Sequence, residues 1–110
     1  REKIILSDTV LFELNKSFII RSANDVCKEV FGYSPSELEG KMIKDIMINS
    51  SDLSQIQEQA TVDTFWNGVL KMKDRSGNEK SLVVSAGQVS DSINNDQMYV
   101  IYGKDITKFA

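Results

Sequence analysis

The sequence predicts an α+β domain in which strands from the two ends of the chain close one antiparallel sheet and short helices between them cover one of its faces. Two short apolar runs flank turn residues near the start, apolar residues alternate with a period of two from Thr64, and between these they recur at helical spacing behind capping signals. Composition agrees: 110 residues with 41% hydrophobic and 26% charged content make one globular domain with its own core, too short for two of ordinary size.

Val10-Leu11-Phe12-Glu13-Leu14 and Phe18-Ile19-Ile20 flank Asn15-Lys16-Ser17, residues that favour a tight turn, and predict an opening hairpin. Asn24-Asp25 then leads into Val26, Cys27, Val30 and Phe31, apolar positions on one face of a short helix. Asn24 is its expected cap, and Gly32 stands where a helix end takes positive φ. Ser34-Pro35-Ser36-Glu37 is a capping box with proline at the first helical position, followed by Leu38 and closed by Gly40. Met42, Ile43, Ile46 and Met47 form a further short apolar segment, and Asn49-Ser50-Ser51-Asp52 is the expected cap of a longer helix carrying Leu53, Ile56 and Ala60.

From Thr64 the period becomes two. Trp66, Gly68, Leu70 and Met72 share one face of a strand and Asn67, Lys71 and Lys73 the other. Asp74 to Asn78 is a five-residue hairpin loop, Leu82, Val84 and Ala86 continue the inner face, Ser90 to Asp96 form a polar loop, and Met98 to Gly103 make the last strand. Val83, Val89, Tyr99 and Ile101 fall on the opposite alternation and are expected to form an apolar outer face covered by a second copy or a flanking element.

Charge and composition exclude several activities. A net charge of −3 leaves no basic field for a nucleic acid. The absence of histidine removes Ser-His-Asp and Cys-His catalysis, His-ligated haem and Cys/His zinc sites. The single cysteine, Cys27, forms no internal disulfide, which fits a reducing, cytoplasmic setting. No apolar run approaches the roughly 18 to 20 residues that cross a bilayer, so no direct membrane contact is expected. The ends read as cut from something longer: 1–8 as a flank, 9–107 as the domain, and 108–110 as the start of a linker.

The order of elements, with Asn24, Phe31-Gly32-Tyr33-Ser34-Pro35-Ser36-Glu37-Leu38-Glu39-Gly40-Lys41, Trp66-Asn67-Gly68, Asp74-Arg75-Ser76-Gly77 and Asp105-Ile106-Thr107, resembles a PAS domain of the S-box type found in bacterial and archaeal signalling proteins. The resemblance implies a five-stranded antiparallel sheet in the order 2-1-5-4-3 with helices packed on its inner face and a small cavity beneath the longest helix. It also implies a homodimer inside a sensor histidine kinase, with a diguanylate cyclase or a transcription regulator as alternatives. Which cofactor is bound, if any, is left open. Met42 to Met47 stand where the flavin photoreceptors of the group have an Asn-Cys-Arg-Phe-Leu-Gln stretch, so cysteinyl-flavin photochemistry is not expected. Val69 replaces the glutamate that commonly follows the Trp-x-Gly motif.

Asn24, Cys27, Met47, Ile56, Trp66, Leu70, Met72 and Val84 are the candidates for lining a ligand cavity, each with a packing or capping role as the simpler explanation. Glu37 and Glu39, like Lys71 and Lys73, are expected to be solvated. Asp105, Ile106 and Thr107 are expected to hold the chain's exit by side-chain to backbone hydrogen bonds, and the resemblance makes this the joint to an output helix. The expected function is a non-catalytic sensory module that binds a small ligand or relays a conformational signal to a C-terminal output domain. The alternative is a ligand-free dimerisation module working through the outer sheet face.

Overall fold

The computed structural model describes residues 8–90, 93 and 96–109. Of the expected flank, loop and linker, residues 1–7, 91, 92, 94, 95 and 110 lie outside the described residues. Five strands, β1 (Thr9–Leu14), β2 (Ile20–Ala23), β3 (Trp66–Lys73), β4 (Glu79–Ser90) and β5 (Gln97–Asp105), form one antiparallel sheet in the order β2-β1-β5-β4-β3. Helices α1 (Val26–Phe31), α2 (Pro35–Leu38) and α3 (Asp52–Gln59) and a 3-10 turn (Ile43–Ile46) connect β2 to β3, and a second 3-10 turn (Thr107–Phe109) follows β5.

Register assigns side chains to faces, because directly opposed residues share one. Phe12, Ile101, Ala86 and Trp66 form one row across four strands of the helix-covered face. Val10, Gly103, Val84 and Gly68 form the next. Phe12, Phe31, Leu38, Ile43, Ile56 and Leu70 are among the side chains that close the core between sheet and helices. The opposite face carries Leu11, Tyr102, Ser85 and Asn67 in one row and Val83 and Val69 beside Lys104 in another.

This register corrects the expected outer face. Val83 and Val89 are exposed as predicted, but Tyr99 and Ile101 are buried and belong to the core. Tyr99 lies opposite Leu14, and Ile101 opposite Phe12 and Ala86, so Met98, Val100 and Tyr102 are the β5 residues on the outer side. A shift of one residue in a strand exchanges its faces completely.

Local differences have local causes. β2 starts at Ile20 rather than Phe18 because Phe18 adopts a left-handed φ of 62° in the turn. The Asn15 carboxamide oxygen accepts from the Ser17 and Ile19 amides at 2.9 and 3.0 Å, and the Phe18 ring stacks on Tyr99 at 4.6 Å. Asn24 does not cap α1: its Oδ1 accepts from Leu11 N at 3.2 Å and its Nδ2 donates to Thr9 O at 2.7 Å, which extends the β1 edge. Ser51 gives α3 no side-chain cap, because the Ser51 hydroxyl is turned to Asn49 Oδ1 at 2.6 Å. The capping box is formed as expected, with Ser34 N donating to Glu37 Oε1 at 2.8 Å and Glu37 N to Ser34 Oγ at 3.3 Å.

Glu37 is not simply solvated. Its carboxylate pairs with Arg75 from the β3–β4 loop. Arg75 Nε donates to Gly32 O at 2.9 Å, its backbone N to Phe31 O at 2.8 Å, and its guanidinium lies 4.8 Å from the Tyr33 ring centroid. One side chain therefore fastens the hairpin tip to the corner between α1 and α2. The Arg75 hydrogen bond, then the Ser34 amide, hold the Glu37 carboxyl down to about 2.

Both partners are exposed, so solvent screening keeps the contribution small. Its sign follows from linkage. A carboxyl held below its ordinary value of 4.5 stabilises the fold fully above that pH, and the contribution is lost as pH falls towards about 2. The urea midpoint difference between the natural chain and Glu37→Gln should shrink over that interval, and a difference that stays constant with pH would remove the ion pair from the account. Gly103 tests the register independently. A Cβ built there lies 2.6 Å from Val84 Cγ1 and 3.1 Å from Val83 O. Gly103→Ala should cost about 1–3 kcal/mol in urea unfolding through overpacking, and a neutral result would contradict the Val84–Gly103 pairing.

Candidate functional site

The residues that follow β5 form a compact clasp. Ile106 N donates to Ser81 O at 2.8 Å, and the Thr107 hydroxyl accepts from Ser81 N at 3.0 Å. That hydroxyl donates to the Asp105 carboxylate, which also accepts from Thr107 N at 2.9 Å. A threonine hydroxyl has one proton to give and lone pairs to accept with, and here both capacities are used. Ser81 is 2% exposed, so its N–H and C=O need these partners. The expected hold on the exit is thus present, and its anchor is a β4 backbone position that the sequence does not single out. Phe109 N closes the following turn on Ile106 O at 2.8 Å.

The proposed cavity residues separate into two groups. Cys27, Met47, Ile56, Trp66, Leu70, Met72 and Val84 come together in the single core cluster. Asn24 is held at the β1 edge, where it lines a cleft of about 300 Å³ with Thr9, Leu11 and Tyr102. The Trp66 indole lies back over Gly68, where a Cβ would stand 2.6 Å from Cη2, so the glycine makes room for the ring. Among the described residues no buried side-chain nitrogen or oxygen lacks a hydrogen-bond partner. Burial pushes the Cys27 thiol up to about 11, which keeps the nucleophilic thiolate scarce at neutral pH.

On the outer face, Val69, Val83, Val89 and Tyr102 are exposed. Phe65, from the segment before β3, lies over Gly87 and meets the Tyr102 ring at 5.8 Å between centroids. Sequence reasoning missed Phe65 and Tyr102 here: the first precedes the alternating strand, and the second belongs to a run with apolar residues on both faces. Two further clefts open at the sheet ends. One of about 400 Å³ is lined by Glu13, Arg21, Ser22, Val89, Ser90 and Met98. Another of about 630 Å³ separates α1 from the exit turn. Among the described residues no group of three or more acids and cysteines could hold a metal ion, and no helix is long and apolar enough to cross a membrane.

A family model described as PAS domain matches residues 7–108. No curated protein matches the chain. Solved structures with the same fold include the PAS domain of an HTR-like protein from Haloarcula marismortui, with a TM-score of 0.77 at 20% identity over 91% of this chain and 83% of that one. The PAS domain of a protein from Colwellia psychrerythraea superposes with a TM-score of 0.74 at 16% identity, covering 97% of this chain and 96% of the other. A PAS domain from a two-component sensor histidine kinase gives 0.75 at 15% identity, over 92% and 90%.

Proposed function

The chain belongs to the PAS domain family, and from that membership we propose that it is a non-catalytic sensory module that relays a conformational signal through its exit to an output domain. The observation that carries the proposal is the clasp between Thr107 and Ser81. It joins the end of β5 to the start of β4 by one side-chain hydroxyl and two backbone groups. A signal that favours one of two strand arrangements shifts their populations, and the clasp decides whether the shift reaches the output domain. The output assigned is a histidine kinase in the cytoplasm. A solved domain of the same fold comes from a two-component sensor histidine kinase, and the lone buried Cys27 suits a reducing compartment.

A second reading is favoured by the outer face. Val69, Val83, Val89 and Tyr102, exposed by 46, 48, 40 and 38%, suit an interface between two copies. Seven of the eight proposed cavity residues are packed in the core cluster, which suits a module whose interior is filled by its own side chains.

In the full-length parent protein, Asp105→Ala should leave the domain folded, because losing these hydrogen bonds costs about 1–2 kcal/mol. It should abolish the stimulus dependence of the output while the basal output persists. Regulation of unchanged amplitude in a variant whose urea midpoint shows the clasp was weakened would remove the exit from the mechanism.

A further inference from the structure

We propose that segment 60–65, between α3 and β3, is a strap through which the helical layer sets the shape of the outer sheet face, and that Gln88 is the residue that positions it. That the strap governs self-association rests on the reading of this face as an interface between two copies; that it holds Phe65 does not.

β3 pairs with β4 only as far as Trp66↔Ala86, while β4 runs on to Ser90. Beyond Ala86 the segment that leads into β3 takes the place of a partner strand. Gln88 N donates to Thr61 O at 3.2 Å, and the Gln88 carboxamide nitrogen donates to Ala60 O at 2.8 Å. Ala60 is fully buried in the core cluster and ends α3, where its amide donates to Ile56 O at 2.9 Å. Thr61 then closes a turn on itself: its N donates to Thr64 O at 2.8 Å, and its hydroxyl accepts from Thr64 N at 2.9 Å and from Asp63 N at 3.2 Å. A turn bonded in this way moves as one piece, so little freedom is left where the chain reaches Phe65.

Phe65 emerges on the other side of the sheet. Its ring lies over Gly87, where a Cβ would stand 2.8 to 3.0 Å from three ring carbons, and it meets the Tyr102 ring at 5.8 Å. Successive strand residues face opposite sides, so Gln88 grips the strap from the helical side while Gly87 makes room for its ring on the outer side. A shift at the end of α3 is thereby carried to Phe65 and to its contact with Tyr102. Aromatic anchors carry much of the binding energy of an interface, and a face whose Phe65 has left its place beside Tyr102 associates more weakly with a second copy.

The test follows the Gly87 Hα resonance of the 13C,15N-labelled chain by NMR and the self-association of the same chain by sedimentation equilibrium. The Phe65 ring current displaces that resonance, and Phe65→Leu gives its value without the ring. Gln88→Ala should move the resonance at least halfway to that value, and Gln88→Met, which keeps the side chain's length without its donor, should do the same. Ile56→Val, a change beneath α3, should move it in the natural chain but not in the Gln88→Ala background. The dimer Kd should rise about threefold or more in Gln88→Ala, although Gln88 lies on the helical side of the sheet. A Gly87 resonance unmoved by either Gln88 variant, or an equal response to Ile56→Val with and without Gln88, would overturn the strap. A dimer whose Kd ignores Gln88→Ala while the resonance moves would overturn its regulatory role. A chain that stays monomeric at millimolar concentration would overturn the interface reading, and the regulatory role with it, whereas the Gly87 resonance still decides whether Gln88 holds Phe65.

Discussion

The last of the described strands, β5, is the middle strand of the sheet. β5 is hydrogen-bonded to β1 on one side and to β4 on the other, from Thr9↔Lys104 to Leu14↔Tyr99 and from Leu82↔Asp105 to Ser90↔Gln97. The sheet is complete only when β5 is in place, and until then β1 has no neighbour but β2. The same constraint puts the exit at the end of a strand fixed on both edges, so Ile106 and Thr107 leave from a rigid position. Ser81, nearly buried at the start of β4, is where the departing backbone is fastened.

Two fastenings at the same end of β4 result from this arrangement. Arg75, in the loop that leads into β4, ties the hairpin to the α1–α2 corner through Phe31 O, Gly32 O and Glu37. Six positions later, Ser81 ties the strand to the exit. The helical layer and the exit thus grip one short stretch of one strand. The proposed relay would run through that contiguous stretch. Between sheet and helices, Trp66 folded over Gly68 and the close approach of Val84 to Gly103 show a core in which small residues are placed where large neighbours need room.

Much of this fold was legible because its signals are local. The Ser34-Pro35-Ser36-Glu37 box needs only four consecutive residues, and the alternation of Trp66, Leu70 and Met72 against Asn67, Lys71 and Lys73 is visible within one strand. The strand order came from the family resemblance, not from any periodicity. The phase of β5 was not legible, because Met98, Tyr99, Val100, Ile101 and Tyr102 are apolar without interruption, and only pairing with Phe12 and Ala86 decides that Ile101 faces inward. Arg75 and Glu37 are 38 positions apart and meet only after the hairpin folds back. Asn24 sat at a plausible cap position, yet the open β1 edge offered it a donor and an acceptor at once. At the exit, Asp105 and Thr107 were legible as a pair, whereas their partner at Ser81 is a backbone group, to which side-chain chemistry is blind.

Hydrogen exchange at the Ser81 and Ile106 amides tests most directly whether the exit is built into the sheet. Ser81 N–H is held by the Thr107 hydroxyl and Ile106 N–H by Ser81 O, so a clasp that is part of the folded core protects both to the same degree as the amides of Ala86 and Ile101. Exchange of Ser81 and Ile106 as fast as that of Ser76, in the exposed hairpin loop, would contradict it and leave the exit a loose end.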